Sequence, residues 1–170
     1  VTTLPYARGA ADELCLIAGG TGITPMYQIM RTALRDPLDR TRLRLLYANR
    51  SVEDILLRDE IDALAAAHPG ALRVRHTITD ASAEACSADA AGGAMDVARG
   101  RITLDLVRSS LPAPGDGVMV FVCGTDGFVD ALAGPIARVV DEAPVRPLTA
   151  PAAPIALRSA ASTASGVLLW

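Results

Sequence analysis

The chain has 170 residues, with 16 basic against 19 acidic side chains and a formal net charge of −3. Every basic residue is an arginine, which excludes a Schiff-base lysine and the lysine that completes a Walker-type phosphate loop. Mild acidity with scattered arginines also argues against a partner held through nucleic-acid phosphates.

Residues 1–13 are a short lead with turn residues at Pro5 and Gly9. Leu14 to Ala18 is a continuous apolar run of strand length, stopped by Gly19-Gly20-Thr21-Gly22, as in a buried parallel strand. Thr24-Pro25 predicts a helix opening, with Thr24 as N-cap and Pro25 in the first position. Met26, Ile29, Met30 and Ala33 follow at helical spacing, and Asp36-Pro37 ends the run. Leu43 to Ala48 predicts a second strand ending at Asn49-Arg50. Ser51 with Asp54 resembles a capping box, and Ile55, Leu56, Ile61 and Leu64 supply the apolar face of a second helix. His68-Pro69-Gly70 closes it.

Leu72 to Ile78 alternates, which predicts a half-exposed or edge strand with His76 at the surface. Residues 80–99 are small and polar and predict an exposed, mobile loop. Gly100-Arg101-Ile102 leads into a short helix, Leu104 to Leu111. Val118 to Val122 is the strongest strand, ending at Cys123-Gly124, with a last helix from about Asp126 to Ala133. Residues 144–170 are rich in Ala, Pro and Ser, with no period except in Gly166 to Trp170, and predict a poorly ordered tail.

Strands alternating with helices give an α/β fold, a doubly wound parallel sheet with helices on both faces. Ligands in such sheets bind beyond the carboxyl ends of the strands, which here carry Gly19 to Pro25, Asn49-Arg50 and Cys123-Gly124. The glycine run before a helix can hold a diphosphate with backbone N–H groups and the positive helix end, or be a plain strand–turn–helix corner. Its third fingerprint glycine is replaced by Pro25. Asp54 is either a ribose-binding acid or a helix cap. Arg50 is either a site residue or a solvated charge. Cys123 has no paired base in the sequence, which speaks against a covalent nucleophile and for a small, polarizable wall. His68, His76, Ser109 and Ser110 receive no role. The cysteines, Cys15, Cys86 and Cys123, are odd in number and widely spaced. They give neither a disulfide framework nor a metal pattern, and they suit a reducing compartment. No apolar run reaches the ~18 residues of a membrane helix.

The stretch Ile17-Ala18-Gly19-Gly20-Thr21-Gly22-Ile23-Thr24-Pro25-Met26 resembles the signature of the ferredoxin–NADP reductase-like superfamily. With Tyr47-Ala48-Asn49-Arg50, Asp54-Ile55-Leu56-Leu57-Arg58 and Cys123-Gly124, it is similar to the NADH-binding domain of cytochrome b5 reductases and of the nitrate reductase reductase module. The resemblance implies that Gly20, Thr21, Gly22, Thr24 and Pro25 cradle the NADH diphosphate. It places Asp54 by the adenosine ribose, favouring NADH over NADPH, and Cys123 and Gly124 at the nicotinamide. Thr21 and Cys123 are the side chains it sets nearest the chemistry. The full candidate cofactor set is Gly19, Gly20, Thr21, Gly22, Thr24, Pro25, Asn49, Arg50, Asp54, Cys123, Gly124, Thr125 and Phe128, with no metal site. At Thr125-Asp126-Gly127-Phe128 the chain departs from the prolines and methionine usual in the family. The family carries a flavin-binding barrel, with an Arg-x-Tyr-Ser/Thr type motif, before this domain.

The expected organisation is therefore a linker end over residues 1–13, an NAD-binding domain over 14–143 and the tail over 144–170. By resemblance, NADH would pass hydride to FAD on a separate domain of the same protein, and electrons would go on to a haem protein or another one-electron acceptor. The alternative is a stand-alone nucleotide-binding module or a truncated product without turnover.

Overall fold

The computed structural model describes residues 6–80 and 96–133, together with the backbone of 166–169. The chain runs β1 (Glu13–Gly19), α1 (Ile23–Arg35), β2 (Arg42–Asn49), α2 (Arg58–Ala67), β3 (Leu72–Ile78), β4 (Val97–Arg99), α3 (Leu104–Ser110), β5 (Val118–Cys123), α4 (Asp126–Ala133) and β6 (Gly166–Leu169). All pairings are parallel, in the order β4-β3-β2-β1-β5-β6.

The central strand β1 explains the continuous apolar run, because neither of its faces meets water. Leu14, Leu16 and Ala18 point to one face, where Ile23, Met26, Ile29 and Met30 of α1 and Ile61 of α2 cover them. Cys15 and Ile17 point to the other, against Val129 of α4, with Leu106 and Val107 of α3 packed nearby. Each fully buried Leu, Ile or Met contributes about 1.5–3 kcal/mol through area removed from water. Helices on both faces make the sheet doubly wound, as the alternation of elements predicts. The strand order reverses between β1 and β5, and it is at such a reversal that a crevice opens beyond the strand ends.

Several local expectations are corrected. Helix α1 starts at Ile23, with Gly22 already in the right-handed helical region, so Thr24 is not its N-cap and Pro25 is its third residue. Helix α2 starts at Arg58 rather than near Ser51, because Leu57 holds a left-handed conformation (φ 56°) that breaks the winding. Ile61 and Leu64 lie on that helix, whereas Ile55 and Leu56 belong to the turns before it. Residues 97–99 form the short edge strand β4 instead of loop; residues 81–95 of that expected loop, which include Cys86, lie outside the described residues. His76 is buried, not exposed, with its ring 5.7 Å from that of Tyr47. The tail expected over 144–170 lies outside the described residues except for 166–169, whose backbone forms β6 beside β5. Among the described residues, no helix is long and apolar enough to cross a membrane.

Candidate functional site

The carboxyl ends of β1, β2 and β5 lie side by side, since Ala18 pairs with Tyr47 on one side and with Cys123 on the other. From β1 the chain passes through a single 3-10 turn, Gly20–Gly22, straight into α1. Neither the turn nor the helix has a side-chain cap, and α1 has no acidic residue in its first turn. The positive end of α1 therefore carries no carboxylate of its own, the arrangement that suits an anion. Thr24 braces this corner from within: its hydroxyl donates to the Thr21 carbonyl at 3.1 Å. Thr21 itself is exposed.

The turn is pressed against the end of β5. A Cβ on Gly22 would overlap the Cys123 carbonyl oxygen and stand 2.8 Å from the Gly124 nitrogen. Phe128 of α4 then closes the same seam from the side. Its ring lies so near Gly19 and Gly124 that a Cβ would come within 3.0 Å of it at the first and 2.6 Å at the second. The Phe128 N–H donates to the Thr125 carbonyl at 2.9 Å, which fixes the start of α4. Gly19, Gly22, Cys123, Gly124 and Phe128 are thus one contact set, drawn from two stretches of chain that are distant in sequence. Cys123 is half-buried, and burial pushes its thiol above the ordinary range, partly offset by the Gly124 backbone N–H. At neutral pH it is a thiol, a wall rather than a nucleophile.

On the other side, Asn49 closes β2. It is buried, and its carbonyl accepts the Thr79 N–H at 3.1 Å. Arg50 is exposed. Asp54 is exposed in the turn that precedes α2, where it accepts a hydrogen bond from the Ser51 hydroxyl at 3.1 Å. The Ser51–Asp54 pair therefore closes a turn instead of capping a helix. One residue that touches these loops was not singled out from the sequence. Tyr47 is fully buried, and its hydroxyl donates to the Gly20 carbonyl at 3.1 Å while accepting the Leu56 N–H at 3.2 Å. A phenol in the apolar stretch Leu45–Ala48 was the available signal, because a buried tyrosine hydroxyl needs a partner.

A nicotinamide dinucleotide fits this framework on the structure's own terms. The turn over Gly20–Gly22 offers backbone where a side chain would fill the seam, next to an uncapped helix start. Among the described residues, no cluster of three metal-ligating side chains exists.

The chain is similar to known proteins over this region. The chain is 39% identical to NADH-cytochrome b5 reductase 1 of Candida glabrata over 127 residues, which is 75% of this chain and 41% of that protein. It is 37% identical over 125 residues to NADH-cytochrome b5 reductase 2 of Homo sapiens, covering 74% of this chain and 42% of the relative. The chain thus spans about two fifths of the length of these curated relatives. Among solved structures, the cytochrome b5 reductase domain of Ulva prolifera nitrate reductase matches with a TM-score of 0.59 and 36% identity, over 71% of this chain and 42% of that one. Residues 16–133 match the model of the oxidoreductase NAD-binding domain, and the chain belongs to that family.

Proposed function

We propose that this chain is the NADH-binding half of a flavin-dependent reductase similar to the cytochrome b5 reductases. In the complete protein, hydride would go from NADH to FAD on another domain and electrons onward to a haem protein. The observation that carries the reading is the seam at the sheet's reversal point, where Gly22 meets the Cys123–Gly124 backbone. It joins a diphosphate-type turn to a small-walled pocket edge.

Within that reading the backbone of Gly20, Thr21 and Gly22 and the start of α1 bind the diphosphate. Thr24 holds the turn in shape, and Pro25 keeps the following backbone helical. Asp54, with Arg50 nearby in sequence, faces the adenosine ribose; a carboxylate there accepts hydrogen bonds from ribose hydroxyls and repels a 2′-phosphate. Cys123, Gly124 and Phe128 border the nicotinamide, with Thr21 and Thr125 at the rim. Bound in this way, NADH supplies the hydride. The chain's own task is orientation and exclusion of water, which supply rate by holding reacting atoms in place.

Calorimetry of the chain with NADH, NADPH and ADP-ribose tests the binding claim. Heat with NADH and ADP-ribose, and weaker heat with NADPH, is the expected result; no heat with any of them overturns it. Fusion to a flavin-binding barrel of the same superfamily tests the catalytic claim. NADH-dependent reduction of an artificial acceptor supports it, and bound NADH without flavin reduction leaves a binding module instead.

A further inference from the structure

Tyr47 sits where the two halves of the nucleotide site meet. Its ring is fixed within the sheet: it is fully buried, pairs in register with Ala18 on β1 and His76 on β3, and lies against the His76 ring. Its hydroxyl leaves the sheet at the carboxyl end and touches two loops. It donates to the carbonyl of Gly20, the first residue of the diphosphate turn, and accepts the N–H of Leu56, two residues beyond Asp54. Burial pushes the phenol's pKa upward, so the hydroxyl keeps the proton it donates.

Tyr47 adds a constraint to both loops, at Gly20 beside the Ile23 N–H that the same carbonyl accepts. In a 3-10 turn the carbonyls point opposite to the N–H groups, so a donor holding the Gly20 carbonyl keeps that oxygen turned from an anion on the N–H side. The other loop is strained. Leu57 has φ 56°, which a leucine holds only where its surroundings over-determine it. The constraints there include the buried Ile55 side chain, the packing of Val52 and Leu57 on the core, the Ser51–Asp54 bond, the Ile55 N–H to Val52 carbonyl and Ile61 N–H to Leu57 carbonyl bonds, and the Leu56 bond to Tyr47. Of these, only the last reaches the Gly20–Gly22 turn.

We propose that Tyr47 is a positioning residue for the nucleotide: its hydroxyl sets the spacing between the turn that holds the diphosphate and the loop that carries Asp54, and so strengthens NADH binding and the choice of NADH over NADPH. The proposal rests on the NADH reading above. Its rival is a tyrosine whose hydroxyl is merely satisfied, which would affect stability and nothing else.

Tyr47→Phe keeps the ring and deletes both hydrogen bonds. In the full chain it is expected to weaken NADH and ADP-ribose together by about tenfold, the effect of losing one to two ordinary hydrogen bonds. NADPH should weaken less, so that the NADH/NADPH ratio narrows. Calorimetry reads both, and a thermal melt alongside separates stability from affinity. A variant that melts lower yet binds NADH within about twofold of the parent, at an unchanged ratio, overturns the proposal and leaves the NADH reading intact. A parent chain that binds none of the three nucleotides overturns both. Should Tyr47→Phe not fold, amide exchange of the parent decides. A Leu56 amide that exchanges slowly, and more slowly with NADH, supports the clamp; one that exchanges at the rate of an open loop amide overturns it.

Discussion

Gly20 and Gly22 stand two positions apart and are glycine for opposite reasons, which substitution separates. Gly22 has φ −62° and ψ −7°, a conformation alanine adopts freely, so its obstacle is space alone. The added Cβ would fall on the Cys123 carbonyl group and 2.8 Å from the Gly124 nitrogen. These are backbone atoms at the end of a buried strand and cannot rotate away as a side-chain tip would. Reaching ordinary contact requires the seam to open by about 1 Å. Overpacking of this kind costs about 1–3 kcal/mol, and each kcal/mol lowers Tm by about 2–4 °C for a chain of this size. Gly22→Ala should therefore lower Tm by roughly 4–8 °C at the centre of that range, and weaken NADH at least about tenfold, since a shift of about 1 Å in a positioned site costs up to about a hundredfold. At Gly20 the reverse holds: φ is +52° and nothing lies within 4 Å of a Cβ. Gly20→Ala should cost about 1–2 kcal/mol from the left-handed backbone, and Gly20→Asn, which tolerates that region, should recover most of it. Melts by circular dichroism and calorimetry with NADH measure both series. A Gly22→Ala chain that melts with the parent and binds NADH equally well refutes the close seam. Rescue by Asn at position 22 as well as at 20 refutes the division of causes.

Asp54→Ala should narrow the NADH/NADPH preference by removing the carboxylate that repels a 2′-phosphate, measured as the ratio of dissociation constants; an unchanged ratio returns Asp54 to the role of a turn residue. Burial pushes the Cys15 thiol to about 12 and also raises Cys123. In a Cys86→Ser background at pH 7, maleimide should label Cys123 slowly and Cys15 only on unfolding, and rapid native labelling of Cys15 would contradict its placement. Tyr6 donates to Asp39 at 2.6 Å; burial first, then that bond, pushes Tyr6 to about 12. Burial alone would raise Asp39, but hydrogen bonds from Tyr6 and Thr41 bring it below its ordinary value. Asp39's contribution to stability is thus full above about pH 4 and lost as pH falls through its folded value, whereas that of Tyr6 is full below about pH 10 and fades toward pH 12. Tyr6→Phe should flatten the melting profile at both ends, and a profile parallel to the parent's at pH 3, 7 and 11 would refute the pairing.

Most of the architecture is legible because its signals are local. The runs Leu14–Ala18 and Val118–Val122 are continuously apolar, and so is Leu43–Ala48 but for Arg44, a pattern that reads as buried strand; glycines follow the first and last runs, and Asp36-Pro37 and Pro69-Gly70 mark the helix ends. What the sequence hides depends on distant contacts. Ser51 and Asp54 have the spacing of a capping box, yet the same hydroxyl–carboxylate pair closes a turn equally well, and only Leu57's left-handed backbone decides between them. His76 shows a different failure. The alternation of β3 sets Arg73 and Arg75 on one face and Val74, His76 and Ile78 on the other, so the pattern itself favours burial; the polar residue type overrode it. β4 has three residues and no pattern of its own, because its partner β3 supplies the template. In the site, the glycines are visible in sequence. The seam is not, since Gly22, Cys123 and Phe128 meet only after β5 has crossed back beside β1.

That seam also explains how Phe128 is accommodated beside Cys123-Gly124. A phenylalanine needs more room than the crevice between two adjacent strand ends ordinarily offers. Here the room comes from two residues that lack a Cβ, Gly19 on β1 and Gly124 after β5, whose faces the Phe128 ring covers. The bulk of one side chain is matched by the absence of two others, so the three positions are best regarded as a unit. The same arrangement makes this wall of the crevice from a ring, a thiol held protonated and backbone groups. Under the proposed function, a wall of that kind would shape and orient a flat heteroaromatic ring by contact, which is what a domain needs when the bound cofactor carries the reactive bond.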